Sequence, residues 1–305
     1  MSRNVDKQQK LDCSKWIGKS IIHKEITGST NVDAAQGAPV LTHGTVITAE
    51  TQTAGRGRRG RTWISHSGEN LYFSLLLKPQ FAPDKASMLT LVMALAVVKG
   101  IEALYAGGEK KVLSKVQTEP VIQIKWPNDI VIHGKKVCGI LTEMQVEAGR
   151  IGHVVIGVGI NVHQQEFMSE GLEHASSLDR ELGRCSVVPG IYPDSDKRAA
   201  DGSDLCQDDF GTTVRDQLLQ HILLQFEQYY DAFCETENLQ FMKETYCSKL
   251  VNLNKEVRVL EAEGAFKGVA LGIDEGGQLL VRKEDGSLVS IYAGEVSVRG
   301  LYGYV

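Results

Sequence analysis

The stretch "TAGRGRRGRTW", from Thr53 to Trp63, concentrates residues that could handle an anion. Gly55, Gly57 and Gly60 leave backbone N–H groups free to converge on a negative group. Arg56, Arg58, Arg59 and Arg61 add planar forks that match carboxylate and phosphate oxygens. Read as G-x-G-x-x-G, the spacing suggests a dinucleotide-binding turn. That turn needs a helix directly after the glycines, and "RTWISHSGENLYFSLLL" supplies a polar loop and then a strand. Read as an arginine-glycine segment, it would stack on nucleic-acid bases, but such tracts are repeated and this cluster stands alone between two strand-like stretches. The third reading is a mobile flap that orders over a compact anionic ligand, and beside it stands the plain reading of a solvated basic loop.

Shorter stretches carry further candidates. In "KWPND" (125–129), Asn128 and Asp129 project from a strand mouth, or simply complete the turn that Pro, Asn and Asp favour. "GKKVCGILTE" (134–143) sets Lys135 and Lys136 ahead of a buried strand, where a lysine is usually a surface charge at a hairpin tip. Gly139 inside that strand hints at close approach by a ligand. "GVGINV" (157–162) ends a strand with Gly157, Gly159 and Asn161, and "STN" (29–31) is by itself a plain helix cap.

The net charge of −5 makes the arginine cluster a local feature on a negative background. Binding to DNA or RNA as a class needs a broad basic surface, so DNA is not an expected partner. The six cysteines, at 13, 138, 185, 206, 234 and 247, include no C-x-x-C pair. That removes support for zinc or thioredoxin-like chemistry and suits a reducing compartment. Cys138 reads as core, not as a nucleophile. The polar start "MSRNVDKQQKLDC" has no apolar leader segment, and no run of about 18 apolar residues predicts a membrane span. A cytoplasmic location is expected.

Groups of this kind need rigid elements to hold them. The pattern predicts a helix start at "GSTNVDAA" (28–35) with Ser29 or Thr30 near its N-cap, a strand over 44–50 and a buried strand over 70–77. A long helix over 82–106 begins at Pro83 and Asp84. A strand over 121–126 precedes an antiparallel series over 129–162, with turns at His133-Gly134 and Ala148-Gly149. An amphipathic helix over 212–233 carries Leu218, Ile222, Phe226 and Tyr229 on one face, and a short helix spans 237–248. Four or five short strands follow from about 254. Residues 1–20 read as a polar lead-in, 21–250 as the main domain, 109–120 as a local insertion, 184–209 as a disordered insertion and 251–305 as a small β-barrel.

Taken in this order, "STN", "QTAGRGRRGRTW", "KWPND", "KVCGIL", "GVGIN" and the terminal "GEVSVR" resemble the biotin–protein ligase family, also called holocarboxylase synthetases. The resemblance covers 28–178 well and 212–300 more loosely. It implies an α+β fold: a mixed, largely antiparallel, class II synthetase-like sheet with helices on one face, then a C-terminal SH3-like β-barrel. It implies adenylation of biotin by ATP to biotinyl-5′-AMP, then transfer to one lysine of a biotin carboxyl carrier domain.

The resemblance also implies roles. Ser29, Thr30 and Gln52 match the ureido site, and Asn31, Gly55, Arg56, Gly139 and Gly157 the rest of the biotin pocket. Arg58, Arg61, Trp63, Asn128, Asn161 and Arg299 match ATP or adenylate contacts, and "ASSL" (175–178) a segment beside the adenine. Lys136 would touch both the carboxylate and the α-phosphate, and Asp129 would orient or deprotonate the incoming lysine. Mg²⁺ is expected on the triphosphate, held by phosphates and water with no dedicated protein ligands.

About 20 residues precede the matching core, too few for the helix-turn-helix domain of some bacterial members, so a short form without DNA binding is expected. Pairing of sheet edges into a homodimer stays open. The rival readings are a lipoate–protein ligase of the same superfamily, which would not need the ureido partners, and a non-enzymatic nucleotide- or RNA-binding protein, which would release no pyrophosphate.

Overall fold

Every residue of "NLYFSLLL" (Asn70–Leu77) is buried, in a strand near the middle of a sheet. Side chains alternate across a strand. Leu71, Phe73, Leu75 and Leu77 therefore enter one large apolar core, and Leu76 enters a smaller one on the opposite face. Tyr72 and Ser74 share the face of Leu76, which is also the face of the candidate site.

The computed structural model describes residues 7–65, 67–106, 121–167, 172–183, 213–261, 264–293 and 297–300. Eight strands form the sheet: β1 (Lys7–Gln9), β2 (Ile21–Thr27), β3 (Val46–Gln52), β4 (Asn70–Leu77), β5 (Ile122–Lys125), β6 (Asp129–Ile132), β7 (Lys135–Glu147) and β8 (Arg150–Asn161), in the order β1-β2-β3-β4-β8-β7-β6-β5. Neighbours run antiparallel except β2 and β3, which are parallel and joined through α1 (Thr30–Gly37). The two expected turns close the hairpins β6–β7 and β7–β8. His133 and Gly134 have φ of 50° and 77°, and Ala148 and Gly149 have φ of 48° and 76°. Paired positive φ values match the right-handed twist of the flanking strands.

The expected long helix begins as a 3-10 turn, Pro83–Met88, and continues as α2 (Leu89–Ala106). This stretch is long and apolar enough to cross a membrane, yet it is mostly buried inside the protein as its central core helix. A short α3 (Leu178–Leu182) precedes α4 (Val214–Thr236) and α5 (Lys243–Lys249). α2 and α4 cover one face of the sheet.

The expectation of helices on one face is corrected by α1. Its Ala34 and Ala38 pack on Ile47, Leu76 and Val155 across the sheet from α2. One alanine inside an eight-residue helix and one at its C-cap give almost no periodic signal for which face they cover. On α4 the stripe of full burial is Leu218, Ile222, Phe226 and Tyr230, with Tyr229 only partly buried. The 3.6-residue repeat alone puts Tyr229 above Leu218; Tyr230 is buried in its place because its ring meets those of Phe226, Trp16 and His43.

Residues 11–17, expected within a polar lead-in, are instead packed. Leu11 and Ile17 are buried in the large core. The backbone N–H groups of Lys15, Trp16 and Ile17 converge on the Glu227 carboxylate of α4 at 3.0, 2.8 and 3.0 Å. The anchor lies far off in sequence, so local polarity misleads.

β9 (Glu256–Glu261), β10 (Gly264–Ile273), β11 (Leu279–Lys283), β12 (Leu288–Ile291) and β13 (Ser297–Gly300) form a second, antiparallel sheet in the order β12-β11-β10-β9-β13. Among the described residues its edges β12 and β13 do not pair, so the sheet does not close into a barrel. Its inner residues, such as Val257, Val259 and Val281, belong to the same core as α2. The Trp126 indole N–H donates to the Gly277 carbonyl at 3.0 Å, tying the end of β5 to this sheet. The expected insertions at 109–120 and 184–209 lie outside the described residues.

Candidate active site

Three glycines on adjacent strands form the floor of a cleft that is partly open to solvent. A Cβ at Gly139 or Gly159 would lie 2.7 Å from the Trp63 ring, and one at Gly157 would lie 2.0 Å from Asn31 Oδ1. Gly139 stands opposite Gly159 in the β7–β8 register. The missing side chains therefore make a trough down the middle of the sheet, with Trp63 lying in it.

Neutral polar groups gather at one end. Gln52, the last residue of β3, accepts through Oε1 from the Thr30 backbone N–H at 3.0 Å and from the Thr30 hydroxyl at 3.2 Å. Ser74 Oγ on β4 lies 2.8 Å from Thr30 Oγ1 and 2.6 Å from Asn31 Oδ1. Ser29 holds the N-cap position of α1 with φ −163° and ψ 129°, but its side chain makes no capping bond. The plain helix-cap reading of "STN" thus accounts for the backbone and leaves the hydroxyl to the cleft, which it lines.

Charged groups gather at the other end. Lys136 Nζ lies 2.7 Å from Asp129 Oδ1 and 5.5 Å from the centroid of the Trp63 ring. A bulge in the β6–β7 pairing lets both side chains reach the same side: Asp129 stands opposite Gly139, while Lys136 stands opposite Val131. The Lys136 backbone is clasped by the 174–176 segment, donating to the His174 carbonyl at 2.6 Å and accepting from Ser176 N–H at 2.9 Å.

The arginine-glycine loop folds back on itself over this end. Gly57 N–H donates to the Arg61 carbonyl at 2.7 Å, and Trp63 N–H to the Gly55 carbonyl at 2.9 Å. Arg58 donates to Asn128 Oδ1 at 2.9 Å and also to the backbone carbonyl of Ala293, beyond β12. Burial pushes the Arg58 guanidinium below its ordinary pKa, and the nearby Asp129 carboxylate opposes that shift. Arg56 donates to Glu143 Oε2 at 2.8 Å.

Most of the expected site residues meet here. Ser29, Thr30, Asn31 and Gln52 line the polar end, and Arg58, Asn128 and Lys136 the charged end, with Gly139, Gly157 and Trp63 between them; Arg56 also lines the cleft, its guanidinium on the Glu143 oxygen that holds Asn31. Four expected residues stand apart from the lining. Gly55 is buried beneath the Trp63 backbone, where a Cβ would come 2.5 Å from the Trp63 carbonyl oxygen. Asp129 sits behind Lys136. Asn161 is buried and donates to the Ser176 carbonyl at 2.9 Å. Arg61 is exposed and contributes its carbonyl to the loop. Arg299 lies in β13, and its side chain is outside the description. Cys138 is fully buried and its thiol is pushed well up in pKa by that burial, which leaves it in the core as expected.

Sequence reasoning missed Ser74 and Glu143, and it noted Gly159 in a strand end without giving it a part in the site. A single polar residue inside the apolar run "NLYFSLLL" was a usable sign of Ser74, and the strict glycine alternation of "GVG" a sign of Gly159. Glu143 had no local sign. Among the described residues no three His, Cys, Asp or Glu side chains are grouped to hold a metal.

A carboxylate clasp fixes the segment beside Lys136. Glu181 accepts from Ser176 Oγ at 2.5 Å, His133 Nδ1 at 3.0 Å and Lys135 Nζ at 3.2 Å. Burial alone would raise its pKa, but these hydrogen bonds outweigh it and the net shift is downward. A carboxyl whose folded pKa is depressed adds stability above its unfolded pKa of about 4.3 and loses it as pH falls through the folded value. Glu181→Gln should therefore lower the melting temperature at pH 7, with the gap to wild type closing below about pH 4. Thermal unfolding of both proteins across that range checks this, and a gap that did not change with pH would refute the clasp.

Comparison with known proteins places these features. Residues 27–161 match the profile of the biotin/lipoate A/B protein ligase family, and residues 253–299 that of the biotin protein ligase C terminal domain. The chain is 36% identical over 288 residues to the bifunctional ligase/repressor BirA of Bacillus subtilis, covering 92% of this chain and 75% of that protein. It is 28% identical over 274 residues to the biotin–[acetyl-CoA-carboxylase] ligase of Paracoccus denitrificans, covering 90% of this chain and 98% of that one. The biotin protein ligase of Aquifex aeolicus, solved in complex with biotin and ATP, superposes with a TM-score of 0.67 at 27% identity, covering 92% of this chain and 98% of that one. Relatives that match across nearly the whole chain, together with a glycine trough set between a neutral and a cationic end, establish that the chain belongs to the biotin protein ligase family.

Proposed function

We propose that the chain is a biotin ligase that adenylates biotin with ATP and transfers the biotinyl group to a lysine of a carboxylase carrier domain. One observation carries the reading. A cluster of short neutral donors and acceptors (Thr30, Gln52 and Ser74) and a fixed ammonium (Lys136) stand at opposite ends of one trough. Biotin has that polarity: an uncharged urea at one end and a carboxylate at the other. A buried urea needs hydrogen-bond partners and no charge.

In the first step a biotin carboxylate oxygen attacks the α-phosphorus and pyrophosphate leaves. The obstacle is the approach of two anions. Lys136 lies where both meet and stabilises charge as it develops. In the second step the carrier lysine attacks the acyl carbon, the bond to AMP breaks, and the amine gives up a proton. A free lysine has a pKa of about 10.4, so a carboxylate poised to take that proton helps. Asp129, which pairs with Lys136 within the chain, fills this role. Mg²⁺ would sit on the triphosphate, held mainly by phosphate oxygens and water.

The same reading extends to Arg61, Asn161 and Arg299 as nucleotide contacts, to the second sheet as the family's SH3-like domain, and to a cytoplasmic enzyme. The β1 and β5 edges of the main sheet are the places where a homodimer would pair. The repressor activity in the name of the Bacillus relative belongs to that protein; a chain of net charge −5 is read here as a ligase without DNA binding.

Pyrophosphate release that requires biotin and ATP is the direct test. Release with lipoate in place of biotin would favour the sister branch, and no release with either acid would end the ligase reading. Arg58→Gly probes the loop. Arg58 is anchored by Asn128 and the Ala293 carbonyl, and a charge-assisted hydrogen bond is worth about 1.5–3 kcal/mol. The variant should release the adenylate about 10- to 100-fold faster while synthesis changes only a few-fold. Unchanged retention of radiolabelled adenylate in a trapping assay would show that Arg58 is no part of the grip.

A further inference from the structure

Glu143 belongs to none of the expected site residues, yet it links the polar end of the cleft to the arginine-glycine loop. A single oxygen, Oε2, accepts from Asn31 Nδ2 at 2.8 Å and from Arg56 Nη2 at 2.8 Å. Asn31 is otherwise bound within the protein, donating to the Leu141 carbonyl at 3.4 Å and lying 2.6 Å from Ser74 Oγ. Its amide also fills the space that a Cβ on Gly157 would take. Asn31 therefore stands at the start of α1, beside Thr30, as a fixed post.

Arg56 belongs to the loop and donates to the far side of the same carboxylate. The chain of contacts Ser74–Asn31–Glu143–Arg56 runs from the neutral cluster on β4 to the arginine-glycine loop. The Arg56–Glu143 pair is 48% and 38% exposed at its two side chains, and such pairs add little to global stability. What this pair adds is direction. A guanidinium has five donors, and holding one nitrogen on Glu143 leaves the others available to an anion in the cleft that Arg56 lines.

We propose that Glu143 is a positioning residue that ties the arginine-glycine loop to the Asn31 post and presets Arg56 for the ligand's anionic end. The inference rests on the ligase reading above for the identity of that ligand. Its physical content is a coupling: biotin binding and loop order both depend on Glu143, and they do so through Arg56.

Four variants test it: Glu143→Ala, Glu143→Gln, Arg56→Ala and the double alanine variant, each full length, with biotin titrated by calorimetry. Glu143→Ala should weaken biotin binding about fivefold and, because it also takes one hydrogen bond from the buried Asn31 amide, lower the melting temperature slightly. Trypsin should cut the loop, which carries four arginines in six residues, faster by a similar factor in the absence of biotin. Glu143→Gln keeps an oxygen that can accept from both partners and should recover most of each loss. In the Arg56→Ala background, Glu143→Ala should add little. The proposal is overturned if Glu143→Ala binds biotin as tightly as wild type or more tightly, if the glutamine variant behaves like alanine, or if the two alanine effects multiply. A wild-type chain that bound no biotin would instead overturn the ligase reading, and this role with it.

Discussion

Lys136→Ala should cut the rate of adenylate formation by about 10²–10³ and leave the protein folded. The magnitude follows from electrostatics. Two unit charges 4 Å apart repel by about 4 kcal/mol at an effective dielectric of 20, and each factor of ten in rate corresponds to about 1.4 kcal/mol. On the proposed reading, removing an ammonium set between the carboxylate and the phosphate forfeits most of that compensation. Lys136 is held to do this by two independent means, the 2.7 Å contact to Asp129 and the backbone clasp from residues 174–176.

The loss should be selective. Transfer from adenylate supplied ready-made should fall less, because the two anions have already been joined. Lys136→Arg keeps the charge but spreads it over a larger planar group, and should lie between alanine and wild type. Single-turnover pyrophosphate release, set beside transfer from added adenylate, separates the half-reactions. Wild-type adenylation in the alanine variant would refute the role. Equal losses in both half-reactions would mean that the lysine serves binding in general.

Much of the site was legible because its signals are local. The hairpins around His133-Gly134 and Ala148-Gly149 announce themselves by turn chemistry, and they fix the β7–β8 register that brings Gly139 opposite Gly159. The loop arginines stand between two strands that are plain in the sequence, one β-rich and one an almost continuous apolar run. What stayed hidden depends on partners far away in sequence. Ser74 meets Thr30 across 44 residues, Arg56 meets Glu143 across 87, and Lys15 meets Glu227 across 212. Each is a polar side chain whose own neighbourhood looks ordinary.

The sidedness of α1 was hidden for a related reason. A helix that buries only small residues shows little amphipathicity, so the second face of the sheet, the one that carries the chemistry, left the weaker trace. The large core under α2 and α4 left the stronger one. A sequence reveals where apolar mass goes more readily than where a few polar groups converge, because burial repeats with the helix and strand periods and convergence does not.

Gly157→Ala should be the most damaging single-methyl change in the cleft. The added carbon would sit 2.0 Å from Asn31 Oδ1, 2.8 Å from its Cγ and 3.0 Å from its Nδ2. A clash with the tip of a free side chain would be relieved by rotation. Here the amide is pinned by Ser74, Leu141 and Glu143, and Asn31 itself is 5% exposed. Relief therefore requires giving up hydrogen bonds worth about 0.5–1.5 kcal/mol each or shifting the start of α1. Overpacking of this kind typically costs about 1–3 kcal/mol. The first residues of α1 and its cap are Thr30 and Ser29, so the same shift moves the groups placed for the urea, and biotin affinity should fall about 100-fold (about 2.7 kcal/mol). The Asn31→Ala/Gly157→Ala pair tells the two causes apart. If the wedge acts through Asn31, adding Gly157→Ala to the Asn31→Ala background should cost little further stability or affinity, since the space is then free. Full additivity would place the damage in the β7–β8 pairing, and wild-type melting and binding in the single variant would show that the amide can move aside after all.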